Sequence, residues 1–143
     1  MRIINEIIVH CTANRAGTDI GVREIRCFHQ EEKGWRDIGY HYVVRLDGTV
    51  ERGRPISQPG AHCYGRNAHS IGVAYVGGLD KEGKPCDTRT PAQKAALLKL
   101  IFNLCKMYHA SVSGHNDYAR KACPCFDARK EYSKISAQAK TPG

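Results

Sequence analysis

No stretch of this chain approaches the roughly 18 consecutive apolar residues that a membrane-spanning helix needs, so a soluble protein without stable membrane insertion is expected. The N-terminus, Met1-Arg2-Ile3-Ile4-Asn5-Glu6-Ile7-Ile8-Val9-His10, also lacks the form of a secretion signal. Asn5 and Glu6 break its apolar run, and no small-residue cleavage site follows. The expectation is therefore a protein made in the cytoplasm, which acts outside the cell only if something else releases or exports it. Paired Cys-x-x-Cys knuckles, a common frame for closed structural zinc sites, are missing too. So are internal repeats and any linker that would divide the domain. Lysine and arginine are dispersed rather than gathered into a stripe with aromatic platforms, which argues against a nucleic-acid partner.

What is present describes an ordinary globular chain. Its 143 residues suit one domain with a real core, and 41% hydrophobic against 25% charged residues excludes wholesale disorder. The charge of +8 favours a polyanionic partner: nucleic acid, an anionic membrane surface or an acidic wall polymer. Seven cysteines is an odd number, and without a secretion signal they read as reduced thiols. Cys11, Cys27, Cys63, Cys86 and Cys105 are scattered, and burial as small apolar groups is expected for most of them.

Taken in order, Ile3 to His10 reads as a central strand that delivers His10 to a sheet edge. Ligands of open α/β sheets sit at such strand ends. His10 is there either for chemistry or as a buried histidine bonded to backbone. Residues 14–21 form a loop in which Thr18 or Asp19 can cap the helix that follows, from Val22 to Lys33, with Gly34 as its C-cap. His29 on that helix is expected at the surface.

A second strand follows around Tyr40 to Arg45, with a hairpin turn at Asp47-Gly48. Its alternation puts Tyr40 and His41 on opposite faces, so both cannot face one site from a regular strand. Tyr40 is either packing or functional on position alone. Residues 53–67 make a long irregular segment around His62, of the kind that walls a groove. Ser70 to Val76 is a strand buried on both faces, and 77–90 is loop. Thr90-Pro91 starts the clearest helix, with Ala95, Leu98, Ile101, Phe102 and Cys105 down its buried face to about Tyr108. A short strand over Ser111–Gly114 and a short helix over Phe126–Tyr132 complete a single domain, 1–135, ahead of a flexible tail, 136–143.

The stretch with the most chemistry is His115 to Pro124, which brings an imidazole, the Lys121 ammonium and the Cys123 thiol onto one loop. Neutral imidazole and thiolate are preferred zinc ligands, and three such ligands with an open fourth position describe a hydrolytic zinc. The proline between Cys123 and Cys125 tends to point the two thiols apart.

His10-Cys11-Thr12-Ala13, Gly21-Val22-Arg23-Glu24-Ile25-Arg26, Gly34-Trp35, Asp37-Ile38-Gly39-Tyr40-His41-Tyr42, Asp47-Gly48-Thr49-Val50-Glu51, Ser70-Ile71-Gly72-Val73, Thr90-Pro91-Ala92-Gln93 and Lys121-Ala122-Cys123-Pro124 follow one another in order. Together they resemble successive blocks of the type-2 N-acetylmuramoyl-L-alanine amidases, from about residue 5 to about residue 132.

The resemblance implies an α/β fold, with a central mixed, mostly parallel β-sheet flanked by α-helices and zinc at the base of a surface groove. It also implies one zinc ion on His10, His115 and Cys123, catalytic roles for Tyr40 and Lys121, and substrate contacts from His62 and Asn67. The implied protein is a monomeric, endolysin-like hydrolase of peptidoglycan that cuts between the lactyl group of N-acetylmuramic acid and L-alanine.

Relatives that lack the zinc cysteine bind peptidoglycan without cutting it, so a non-catalytic binding module is the first alternative. A basic zinc-containing nucleic-acid regulator is the second. In two places the chain matters in its own right. Cys125 stands where a phage member of the family has serine, and Tyr40 stands where some relatives carry glutamate, which leaves no evident general base.

Overall fold

The computed structural model describes residues 2–135, so the expected tail at 136–143 lies outside the described residues. Its central strand, β1 (Glu6–Cys11), is buried along its whole length because both edges are paired. The parallel strands β5 (Ser70–Tyr75) and β7 (Ser111–Gly114) flank it. Beyond β5 lie parallel β3 (Tyr42–Val44) and antiparallel β4 (Val50–Arg52), giving the order β4-β3-β5-β1-β7. The mixed, mostly parallel sheet expected from the sequence is therefore present. A second, two-stranded parallel ribbon joins β2 (Asn14–Arg15) to β6 (Gly78–Leu79), within segments that read as loops.

Strand alternation sorts the residues into two faces. Ile7, Val9 and Cys11 of β1 join Ile71, Val73 and Tyr75 of β5 in the larger core, under helix α2 (Pro91–Tyr108). Glu6, Ile8 and His10 consequently turn to the other face, where β5 presents only Ser70, Gly72 and Ala74. Small side chains there leave room for imidazoles. A smaller core of Ile38, Val43 and Val76 packs on that side against Val22 and Ile25 of helix α1 (Val22–Glu31).

Helix α2 starts where the sequence places it. The Thr90 hydroxyl accepts from the Gln93 N–H at 3.0 Å, and the Gln93 amide oxygen accepts from the Thr90 N–H at 2.9 Å, a closed capping box. The buried face differs from the expected one. Gln93, Leu97, Ile101, Leu104 and Cys105 are buried, while Leu98 and Phe102 are 52% and 40% exposed. Gln93 sets the phase: its amide nitrogen donates to the Val44 and Val76 carbonyls at 3.2 and 3.0 Å, at the ends of β3 and β5. Apolar residues ring much of this helix, so spacing alone does not select the face.

Neither Thr18 nor Asp19 caps α1. Its N-cap is Gly21, and Glu51 of β4 reaches across to accept the Val22 N–H at 2.9 Å. A Cβ at Gly21 would lie 2.2 Å from that carboxylate, so a larger residue there would push the Glu51 side chain off the Val22 N–H. The helix stops at Glu31, short of the expected Lys33. His29 is buried rather than on the surface, because its Nδ1 accepts the Gly39 N–H at 2.9 Å and its ring packs on Trp35.

The last helix, α3 (Ala128–Glu131), is shorter than expected at both ends. Buried Arg89 ties it down, with paired hydrogen bonds to Asp87 and to Glu131 and its guanidinium 3.4 Å from the Phe126 ring centre. All seven cysteines are free, and Cys11, Cys63 and Cys105 are buried, whereas Cys27 and Cys86 are exposed.

Ile101→Ala is expected to cost about 2–5 kcal/mol in denaturant unfolding, and Leu98→Ala only about 0.5 kcal/mol, because only the first opens a cavity. Burial pushes His29 from its ordinary 6.5 down to about 4. A folded-state pKa below the unfolded one means that unfolding takes up a proton, so this contribution to stability is present above about 6.5 and lost as pH falls toward 4. The thermal midpoint should therefore drop between pH 7 and pH 4.5. His29→Asn, which keeps an acceptor for the Gly39 N–H, should reduce that drop.

Candidate metal centre

The register of the parallel sheet builds the centre. Val9 of β1 pairs with Gly114 of β7, so the next residues, His10 and His115, leave the ladder side by side with ring centres 4.7 Å apart. His10 is 1% exposed at the strand end, and His115 opens a short 3₁₀ turn, His115–Asp117. Cys123 returns from the same loop to β1, where the Cys11 N–H donates to its Sγ at 3.1 Å. Nδ1 of His10 lies 4.0 Å from that sulfur. One donor atom from each of His10, His115 and Cys123 falls within 4.8 Å of the others. Among the described residues no other group of three such donors is brought together.

Electrostatics favour the forms a metal needs. Burial, then the neighbouring imidazoles and Lys121, holds His10 well below the usual histidine range, and burial with Lys121 lowers His115. Hydrogen bonds from Cys11 hold the Cys123 thiol below the usual range against the opposing effect of burial, while the same contact raises Cys11. Two neutral imidazoles and one acidic thiol, joined by no fourth donor among the described residues, fit a divalent cation that keeps an open position.

Cys125, the second thiol of this loop, is not among these donors. Its sulfur turns to the Gly78 carbonyl at 3.3 Å, and burial with neighbouring Cys11 pushes its thiol up to about 11.

Tyr40 and His41 both precede β3, which releases them from strand alternation. The Tyr40 ring lies 5.4 Å from that of His10, and its hydroxyl points toward the Cys11 carbonyl at 3.5 Å, the long limit of a hydrogen bond. Burial raises its pKa, so the hydroxyl stays protonated. His41 faces inward instead, with Nδ1 accepting the Gly72 N–H at 3.0 Å and Nε2 2.8 Å from the Gln58 carbonyl.

Exposed Lys121 lies on the rim of a groove of about 560 Å³ that runs over His10, His115 and Cys123, past Tyr40 and His62, to Phe28 and Trp35. His62 forms part of the groove floor, with Nδ1 2.8 Å from His10 Nε2. Asn67 holds the loop: its amide oxygen accepts the N–H groups of His62 and Cys63, both at 3.0 Å.

Two supports were not anticipated. The Tyr118 and Ser113 hydroxyls both donate to the buried carboxylate of Glu6, pinning the His115 turn to β1. The Tyr75 hydroxyl donates to the Pro124 carbonyl at 2.6 Å, anchoring the residue after Cys123. The first had a visible signal, a glutamate inside an otherwise apolar strand.

The N-acetylmuramoyl-L-alanine amidase family model matches residues 1–126. The chain is 47% identical to an endolysin of Klebsiella phage KP32, over 91% of this chain and 86% of the phage protein. It is 45% identical to the endolysin of Escherichia phage T7, over 90% and 85%. The solved N-acetylmuramoyl-L-alanine amidase LysC from Clostridium intestinale URNW superposes with a TM-score of 0.78 at 29% identity, covering 99% of this chain and 88% of that one. The sheet order, the His-His-Cys cluster beneath a groove and the family match over most of its length agree: this chain belongs to the N-acetylmuramoyl-L-alanine amidase family.

Proposed function

We propose that this protein is an endolysin-type amidase that hydrolyses the bond between the lactyl group of N-acetylmuramic acid and the L-alanine of the peptidoglycan stem peptide. The observation that carries the reading is the convergence of His10, His115 and Cys123 donor atoms within 4.8 Å under an open groove. Two imidazoles and a thiolate suit zinc, bound once per chain. When bound, zinc supplies a Lewis acid for the amide carbonyl and makes water acidic enough to attack near neutral pH.

The remaining work falls to the chain. Tyr40, kept protonated by burial, donates a hydrogen bond from its hydroxyl to the carbonyl oxygen as charge develops there. Lys121, which lines the same groove, adds a cation that counters that charge and helps a proton reach the leaving L-alanine nitrogen. The groove gives the sugar and peptide room on either side of these groups. Of the two expected substrate contacts, His62 reaches the groove at its floor, and Asn67 contributes by holding His62 in place. The net charge of +8 suits an anionic wall and should lose its benefit as salt rises. No helix among the described residues is long and apolar enough to cross a membrane.

A binding module without turnover is disfavoured by the retained Cys123 thiol and its neighbours Tyr40 and Lys121.

Cys123→Ser should stay folded yet lose more than the ~10³-fold that a single oxyanion donor is worth, because it removes a ligand rather than a donor. Release of new L-alanine amino termini from purified peptidoglycan, with zinc content measured alongside, checks this; undiminished release would remove the zinc assignment. Tyr40→Phe should keep its zinc and slow by about 10²- to 10³-fold. Near-normal turnover in that variant would return Tyr40 to packing.

A further inference from the structure

We propose that His62 is a positioning residue that locks His10 in the tautomer whose Nδ1 faces the metal, through a one-way chain of hydrogen bonds beginning at the Arg66 carbonyl. This deepens the amidase reading and rests on its metal site. The chain starts where there is no ambiguity. The Ser70 hydroxyl lies 2.7 Å from the Arg66 carbonyl oxygen, which can only accept, so the hydroxyl proton points there. Ser70 Oγ is then the acceptor facing His62 Nε2 at 3.3 Å, which puts the His62 proton on Nε2. A neutral imidazole carries one proton, so His62 Nδ1 is bare. Its 2.8 Å contact with His10 Nε2 therefore requires the His10 proton to sit on Nε2. His10 Nδ1 is left with its lone pair free, on the side of the ring that faces Cys123.

The surroundings hold His62 to this role. Its ring lies flat against Gly72, where a Cβ would come within 2.6 Å of two ring carbons. Asn67 fixes its backbone through the His62 N–H, and the residue is only 8% exposed. Metal-ligating histidines usually give their second N–H to a carboxylate or a carbonyl, and loss of that partner typically weakens metal binding by about 10- to 100-fold. Here the partner is a second imidazole, whose own tautomer is set one step further back by Ser70. The reverse arrangement, with a proton on His62 Nδ1, would force the His10 proton onto Nδ1 and into the donor cluster, where it would exclude the metal.

Two measurements test this. Long-range proton–nitrogen correlation spectra of the wild-type protein, metal-free and zinc-loaded, should show His62 protonated at Nε2 and His10 protonated at Nε2; a proton on His62 Nδ1 overturns the proposal. Zinc affinity, read by competition with a chromophoric chelator, should fall by about 10- to 100-fold in His62→Leu. It should largely recover in His62→Asn, whose amide oxygen can occupy the place of Nδ1 and accept from His10. Equal losses in both variants, or a folded His62→Leu with wild-type affinity, reduce His62 to a filler of space. If His62→Leu does not fold, the spectra decide. A wild-type protein that binds no zinc overturns the metal reading instead, and the metal-free spectrum still judges the His62 assignment.

Discussion

Everything at the site depends on β1 being paired in register with a parallel neighbour on each side. Parallel strands end together at one edge of a sheet, which is why His10 and His115, over a hundred residues apart in sequence, emerge as neighbours. A slip of one residue along β1 would turn His10 into the α2 core and bring a core side chain to the groove. Buried apolar side chains on the α2 side therefore specify the position of the polar cluster on the other. The core and the centre are two faces of the same strand.

The cluster itself is built by subtraction. Ser70, Gly72 and Ala74 of β5 leave a shallow space on the groove face, and the rings of His10, His41 and His62 fill it. Burying imidazoles away from water holds them neutral. Each then carries one donor and one acceptor: His41 meets the Gln58 carbonyl and the Gly72 N–H, while His62 lies between the Ser70 hydroxyl oxygen and His10 Nε2. Among the described residues no buried side-chain polar atom lacks a partner.

Much of this was legible in the sequence. The strand-end histidine, the capped helix at Thr90-Pro91, the doubly buried strand at 70–76 and the imidazole-thiol loop all come from local patterns that survive folding. Less visible were features decided by distant partners. Gln93, a polar residue inside a helix, sets the phase of α2 only because two strand carbonyls await it, so Leu98 and Phe102 face outward against the simple reading. His29 looks like a surface residue among charges, yet the Gly39 N–H draws it inside. His62 reads as part of a groove wall. Only the placement of Ser70 and His10 around it gives its ring a direction.

The contact between the His62 ring and Gly72 makes two positions behave as one. Glycine at 72 is less a matter of backbone freedom than the imprint of the ring lying on it. Histidine at 62 in turn keeps its orientation only while that imprint is empty. Neither position can drift alone without disturbing the other. A change that survives at one of them records something about what stands at its mate, so the pair is a better marker of an intact His-His-Cys cluster than either residue read singly.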